Sequence, residues 1–239
     1  EVVSDFIQEN ENYFPKLEEF ASHFFSKTQT NNRTGYSSIC EYLINKHGIE
    51  VKDVVPDEKK PFTKQFDPIK KKFILSDYLS LESKKLYAAA QVAQLEANEI
   101  INEYLNSFSF PSEEAKKLSN VALLNYTGAA IIMPYKPFYE ECVKQRYDVE
   151  LLQNTFATSF EQVAHRITCL QNPTMKGIPF HMLRADVAGN ISKRFSLSGI
   201  EIPRYGGACP RWNIYAAFTM PGKINAAVSK MPNGEKYVC

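Results

Sequence analysis

A chain of 239 residues, 44% hydrophobic and 13% aromatic, is long enough to bury one large core or two modest ones. Its formal net charge of +1 leaves no electrostatic footprint of nucleic-acid binding by this segment. Its longest apolar run, Ala129 to Pro134, falls far short of the ~20 residues a membrane span needs.

Glu1 opens inside a helix-forming stretch, and Glu1 to Asn12 are acidic and polar, unlike a secretory signal. Tyr13 to Lys27 sets Phe14, Leu17, Phe20, Ala21, Phe24 and Phe25 at helical spacing, with Glu18 and Glu19 opposite. Ser37 to Lys46 reads as a second helix stopped by Gly48, and Ile49 to Val55 as a strand. Pro56 to Pro68 reads as a charged loop and Lys70 to Leu75 as a strand. Ser80 caps a helix expected to run from Leu81 to about Phe108, and the alanines in its middle imply close approach by another element. Pro111-Ser112 opens a helix through Ile132, with Leu118, Ala122, Asn125, Ala129 and Ile132 aligned along it. Shorter helices follow at Pro137 to Gln145, after Asp148, and from a Thr158–Glu161 capping box to about Leu170, the last with Phe160, Val163, Ile167 and Leu170 as its core face.

After Pro173 the composition changes. Strands are expected at about 178–187, 191–202, 212–220, 223–231 and 235–239, with turns at Gly189-Asn190, Gly206-Gly207, Pro221-Gly222 and Asn233-Gly234. The fold class is therefore α+β: a mainly helical domain over 1–172 and an antiparallel β-meander domain over 173–239. Cys239 closes a strand soon after the last turn, which reads as a domain truncated at its C-terminus.

Chemistry concentrates in two places. Arg184, Lys193 and Arg194 crowd one hairpin with serines between them, a donor set suited to phosphate. A solvated outer face is the competing reading. Gly206-Gly-Ala-Cys-Pro-Arg-Trp212 sets Cys209 beside Arg211 and the single Trp212, and neighbouring positive charge favours a thiolate as metal ligand or nucleophile. A tight turn around a buried thiol competes with that. Five widely spaced cysteines without a C-x-x-C pair point to a reducing, cytoplasmic compartment. The four histidines make no H-E-x-x-H, and no P-loop or G-x-S-x-G elbow is present.

Ser159-Phe-Glu-Gln-Val-Ala-His-Arg-Ile167, Arg184-Ala-Asp-Val-Ala-Gly-Asn-Ile-Ser-Lys-Arg194, Gly206-Gly-Ala-Cys-Pro-Arg-Trp-Asn213 and Met231-Pro-Asn-Gly234 together resemble the short-chain fatty acyl transcriptional regulators. These are bacterial proteins of the XRE helix-turn-helix superfamily that control propionate and related acyl-CoA metabolism. The resemblance runs from about Phe73 to the end and is strongest over 123–234. It implies a DNA-binding helix-turn-helix, which this chain lacks, then a region related to the ImmA/IrrE metallopeptidases, then a ligand-sensing region. The effector it implies is an acyl-CoA such as propionyl-CoA, and the assembly a cytoplasmic homodimer on DNA with no membrane partner. His165, Arg166, Phe180, Arg184, Lys193, Arg194, Arg211 and Trp212 are the ligand-binding candidates, with Met182 and Tyr215 along the apolar part.

Residue by residue, Ala129-Ala-Ile-Ile-Met-Pro134 matches a run that follows the third metal ligand in the metallopeptidases. That ligand then falls at Ala122 and the H-E-x-x-H slot at Ala90-Gln-Val-Ala-Gln94. The resemblance thus implies a peptidase scaffold without zinc and without enzyme activity. Some members also hold a [4Fe-4S] cluster, for which Cys209 would be one ligand in the full-length protein. An iron–sulfur or redox sensor, a zinc peptidase and a plain dimerisation domain are the alternatives.

Overall fold

The computed structural model describes residues 2–28, 34–196, 198, 214–231 and 233–239, with backbone alone at 193, 194 and 196. It opens with α1 (Val2–Glu9), α2 (Pro15–Thr28) and α3 (Tyr36–His47). The face that α2 buries holds Leu17, Ala21, Phe24 and Phe25, as the spacing predicts, and also Glu18, which the sequence placed opposite. α3 ends at Gly48, whose φ of +68° lets its N–H and that of Ile49 return to the Ile44 and Leu43 carbonyls.

β1 (Glu50–Val54), β2 (Lys64–Asp67) and β3 (Lys72–Ser76) form one sheet with β3 in the middle, parallel to β1 and antiparallel to β2. β3 buries Phe73 and Leu75. β2 corrects the expectation of a continuous loop over 56–68: it is a four-residue edge strand, half exposed and carrying a charge at each end, so it shows no apolar alternation.

The long helix expected after Ser80 is two: α4 (Leu81–Glu96) and α5 (Asn98–Asn106), broken at Ala97, where ψ swings to 8°. α6 (Glu113–Ile132) starts at Ser112, whose side chain accepts from Ala115 N–H. α4 and α6 lie backbone to backbone, as the run of alanines implies. A Cβ added at Gly128 would stand 2.9 Å from Ala90 N and 3.1 Å from the Leu86 carbonyl oxygen. Lys85, in the first turns of α4, reaches across to donate to the Phe156 carbonyl at 2.8 Å, and Lys84 bonds Asp53 at 2.9 Å and Asp77 at 3.0 Å.

α7 (Tyr135–Lys144), α8 (Val149–Phe156) and α9 (Phe160–Ile167) complete the helical part. The capping box of α9 sits one residue later than read. Ser159 accepts from Gln162 N–H, and the Gln162 side chain accepts from Ser159 N–H. Val163 and Ile167 are buried as expected, but Phe160 is 46% exposed, so it does not belong to the core face.

Beyond residue 173 come β4 (His181–Ala185) with β5 (Ile191–Ser196), α10 (Ile214–Thr219), and β6 (Val228–Lys230) with β7 (Lys236–Val238); both pairs are antiparallel. The molecule is α+β. The strand expected over 212–220 is contradicted by α10: Ile-Tyr-Ala-Ala-Phe-Thr has the β-branched and aromatic content of a strand but folds as a short helix. The main core joins α2, α3, β3, α4, α6, α7, α8 and α9, and a second cluster gathers Phe6, Phe14 and Leu17 against α5 and α6. Among the described residues no helix is long and apolar enough to cross a membrane.

Candidate functional site

The hairpin of β4 and β5 pairs His181 with Ser196, Met182 with Phe195, Leu183 with Arg194 and Arg184 with Lys193. Directly opposed residues share a face. Positions 184 and 193 therefore lie on one face and 194 on the other, in keeping with the alternation along the second strand. The turn is held by Asp186. Its carboxylate accepts from the N–H groups of Ala188 and Asn190, and its carbonyl from Gly189, each at 2.9 Å. The Asn190 side chain and those backbone donors hold the Asp186 carboxyl below its ordinary pKa. Gly189 adopts φ +85°, and a Cβ there would meet the Tyr215 hydroxyl at 2.9 Å, so the turn closes against α10.

Arg184 bridges to Glu161 of α9 at 3.2 Å, with both side chains about half exposed. Phe180 rests on Tyr147, ring centroids 5.4 Å apart. The segment between α9 and β4 is fastened to the helical part by two tyrosine hydroxyls. Tyr135 accepts from Asn172 N–H at 2.8 Å and donates to the Met175 carbonyl at 3.0 Å; Tyr147 accepts from Ile178 N–H at 3.3 Å. A Cβ at Gly177 would collide with Leu170, 2.8 Å away, so only glycine lets the segment pass this close.

Arg166 is a correction. Its guanidinium is fully buried and committed: Nη1 and Nη2 bond the two carboxylate oxygens of Glu18 at 2.6 and 2.7 Å, and Nε donates to the Met133 carbonyl at 3.0 Å. Tyr126 adds its hydroxyl to the same carboxylate, and the Tyr126 and Tyr135 rings flank the cation. Burial, reinforced by Glu18, keeps the Tyr126 phenol protonated. Arg166 thus joins α2, α6 and α9 and presents no donor to a phosphate. Its neighbour His165 is half buried, and its carbonyl accepts from the Thr168 hydroxyl at 2.6 Å.

Cys209, Arg211 and Trp212 lie outside the described residues, as does the rest of the Gly206–Asn213 motif; of Lys193 and Arg194 only the strand register is described. Positions 90–94 lie on α4 where it meets α6. Ala90, Gln91, Val92 and Ala93 are buried there, and the Gln91 Nε2 and Asn125 Oδ1 atoms find no partner. Among the described residues no cluster of three or more histidine, cysteine or acidic side chains could hold a metal ion.

One arrangement escaped sequence reading. His181 Nδ1 is 3.0 Å from Ser198 Oγ, and its Nε2 is 3.5 Å from Cys239 Sγ. The ring and the thiol are 58 residues apart in the chain, and no local pattern announces them.

The described residues thus build a mainly helical body followed by short antiparallel strand pairs. Residues 45–168, more than half of the chain, match the IrrE N-terminal-like domain, and residues 169–239 match the short-chain fatty acyl coenzyme A regulator, C-terminal. The chain belongs to the short-chain fatty acyl-coenzyme A regulator family. It is 33% identical along its whole length to the HTH-type transcriptional regulator RamB of Mycobacterium tuberculosis and 32% identical to the propionyl-CoA carboxylase regulator of Cereibacter sphaeroides. The chain spans about half the length of these relatives, 50% of each. A solved Mycobacterium tuberculosis transcriptional regulator superposes with a TM-score of 0.91 at 32% identity, over 99% of this chain and 71% of that one.

Proposed function

We propose that this chain is the ligand-sensing region of a bacterial transcription factor, that its effector is a short-chain acyl-CoA such as propionyl-CoA, and that it controls fatty-acid or propionate metabolism genes. The observation that carries the reading is the match of residues 169–239 to the acyl-CoA regulator family. Two functional units, 1–172 and 173–239, fit this role, with DNA reached through a helix-turn-helix outside this chain by a cytoplasmic homodimer.

The bridge between Arg184 and Glu161 supports a way for binding to be felt. A CoA phosphate arriving at Arg184 would replace a carboxylate that belongs to α9. The ligand then competes with a contact between the hairpin and the helical body, and differential affinity for the two arrangements shifts their populations. Phe180, between that contact and Tyr147, offers the apolar side.

The residues at the metallopeptidase positions do not fit zinc. Ala90 and Ala122 carry no donor, Gln91 replaces the general base, and Gln94 stands in the second histidine slot. We therefore read this region as scaffold and not as a peptidase. Burial pushes the Cys142 and Cys169 thiols up to about 12, against the thiolate a cluster requires, so these two do not fit an iron–sulfur cluster; Cys209, the candidate ligand, lies outside the described residues.

Calorimetric titration with propionyl-CoA tests the proposal. Saturable binding is expected, weakened about tenfold or more by Arg184→Gln through loss of a charge-assisted bond. Thermal stability should stay nearly unchanged, because half-exposed ion pairs contribute little. Absence of saturable binding by the wild-type protein overturns it.

A further inference from the structure

We propose that Cys239 and His181 form a nucleophile–base pair that accepts an acyl group from a thioester, making Cys239 a site of reversible S-acylation. The inference rests on the acyl-CoA reading above for its substrate class, and on geometry for everything else. His181 stands between two groups at opposite edges of its ring, Ser198 Oγ at 3.0 Å from Nδ1 and Cys239 Sγ at 3.5 Å from Nε2. With the imidazole proton on Nδ1 donated to Ser198, the Nε2 lone pair faces the thiol. That is the order of nucleophile, base and orienting group on which cysteine nucleophiles depend.

Each member is held independently. Cys239 is anchored on both sides of its backbone, its N–H donating to the Ala227 carbonyl at 2.8 Å and its carbonyl accepting from Ala227 N–H at 2.9 Å. His181 begins β4, and the Tyr237 ring stands edge-on to it at 6.0 Å. Burial lowers the His181 pKa, which favours the neutral ring. Cys239 is exposed, whereas Cys142 and Cys169 are buried thiols. His181 follows Phe180 and begins the strand that carries Arg184; the register places position 194 on the His181 face of the hairpin and Arg184 on the other.

The step balances without an external oxidant or reductant. The Cys239 thiol proton passes to His181 Nε2, and Sγ attacks the thioester carbonyl carbon. The new Sγ–C bond forms as the C–S bond to CoA breaks, and His181 returns the proton to the departing CoA thiolate. One thioester is exchanged for another, so free CoA at high concentration reverses the reaction.

The test is intact-mass and peptide mass spectrometry of the protein incubated with propionyl-CoA, beside calorimetry with a thioether analogue that cannot transfer its acyl group. A single propionyl adduct on Cys239 is expected, removed by hydroxylamine and absent in Cys239→Ser. His181→Gln should slow its appearance on the order of 100-fold, the scale of general-base assistance, while still binding the analogue, which also reports that the variant is folded. Analogue binding with no adduct on Cys239 overturns the inference and leaves the sensing proposal standing. An adduct that forms equally fast in His181→Gln overturns the role of the pair. Failure of the analogue to bind overturns the sensing proposal, and the inference falls with it.

Discussion

Replacing Arg166 with methionine should destabilise the protein far more than any change on the hairpin. The substitution removes three hydrogen bonds at 2.6, 2.7 and 3.0 Å and leaves the Glu18 carboxylate buried with Tyr126 as its remaining donor. Breaking a buried pair by deleting one partner costs about 3–5 kcal/mol, because the surviving charge has lost both water and counter-charge. For a chain of this length each kcal/mol lowers Tm by roughly 2–4 °C, giving a drop of roughly 6–20 °C by calorimetry. The double variant Arg166→Met with Glu18→Leu removes both charges and should recover much of the loss. Arg166→Met within about 1 kcal/mol of wild type by urea titration would refute the argument that this pair frames the fold, as would a double variant no better than the single one.

Gly128→Ala is a test of sign. On an open helix surface the change would gain up to about 1 kcal/mol from propensity. Here the added methyl meets the α4 backbone at 2.9 Å, and overpacking of roughly 1–3 kcal/mol should outweigh the gain, so a Tm at or above wild type would contradict the close α4–α6 contact. Glu96 gives a pH-dependent outcome. Burial pushes its pKa up, but hydrogen bonds from Lys46, His47 and Tyr42 prevail, and the net direction is down. A carboxyl with a lowered folded pKa contributes stability above its unfolded value, and that contribution fades as pH falls through the folded value. Glu96→Gln should therefore cost stability at pH 7, with the difference from wild type closing below the ordinary glutamate range; a gap that stays constant down to acid pH would count against it.

Helices were legible where one face is apolar and a short polar side chain opens the element. Ser80, Ser112 and Asp148 cap as read, and the alanines of α4 forecast the contact that Gly128 makes. The break at Ala97 was not legible because neither glycine nor proline marks it and the apolar stripe continues through Ile100 and Ile101. α10 was misread because six residues are too few for period to outvote composition. Arg166 illustrates the limit for sites. A cation at the edge of an amphipathic helix looks like a ligand for phosphate until its partner is known, and Glu18 lies 148 residues away. The same distance problem hid His181 and Cys239, whose association depends on two hairpins meeting.

The segment between α9 and β4 is fastened by neutral hydroxyl-to-amide bonds, while the hairpin beyond it is steered by the half-exposed Arg184–Glu161 bridge. Ionic strength acts on these unequally. Screening over a Debye length of about 8 Å at physiological salt weakens an exposed ion pair but barely touches an uncharged hydrogen bond. Rising salt would thus leave the tether in place and weaken the Arg184–Glu161 bridge. The two fastenings answer to different variables, the ion pair to ionic strength and the tyrosine contacts to packing alone.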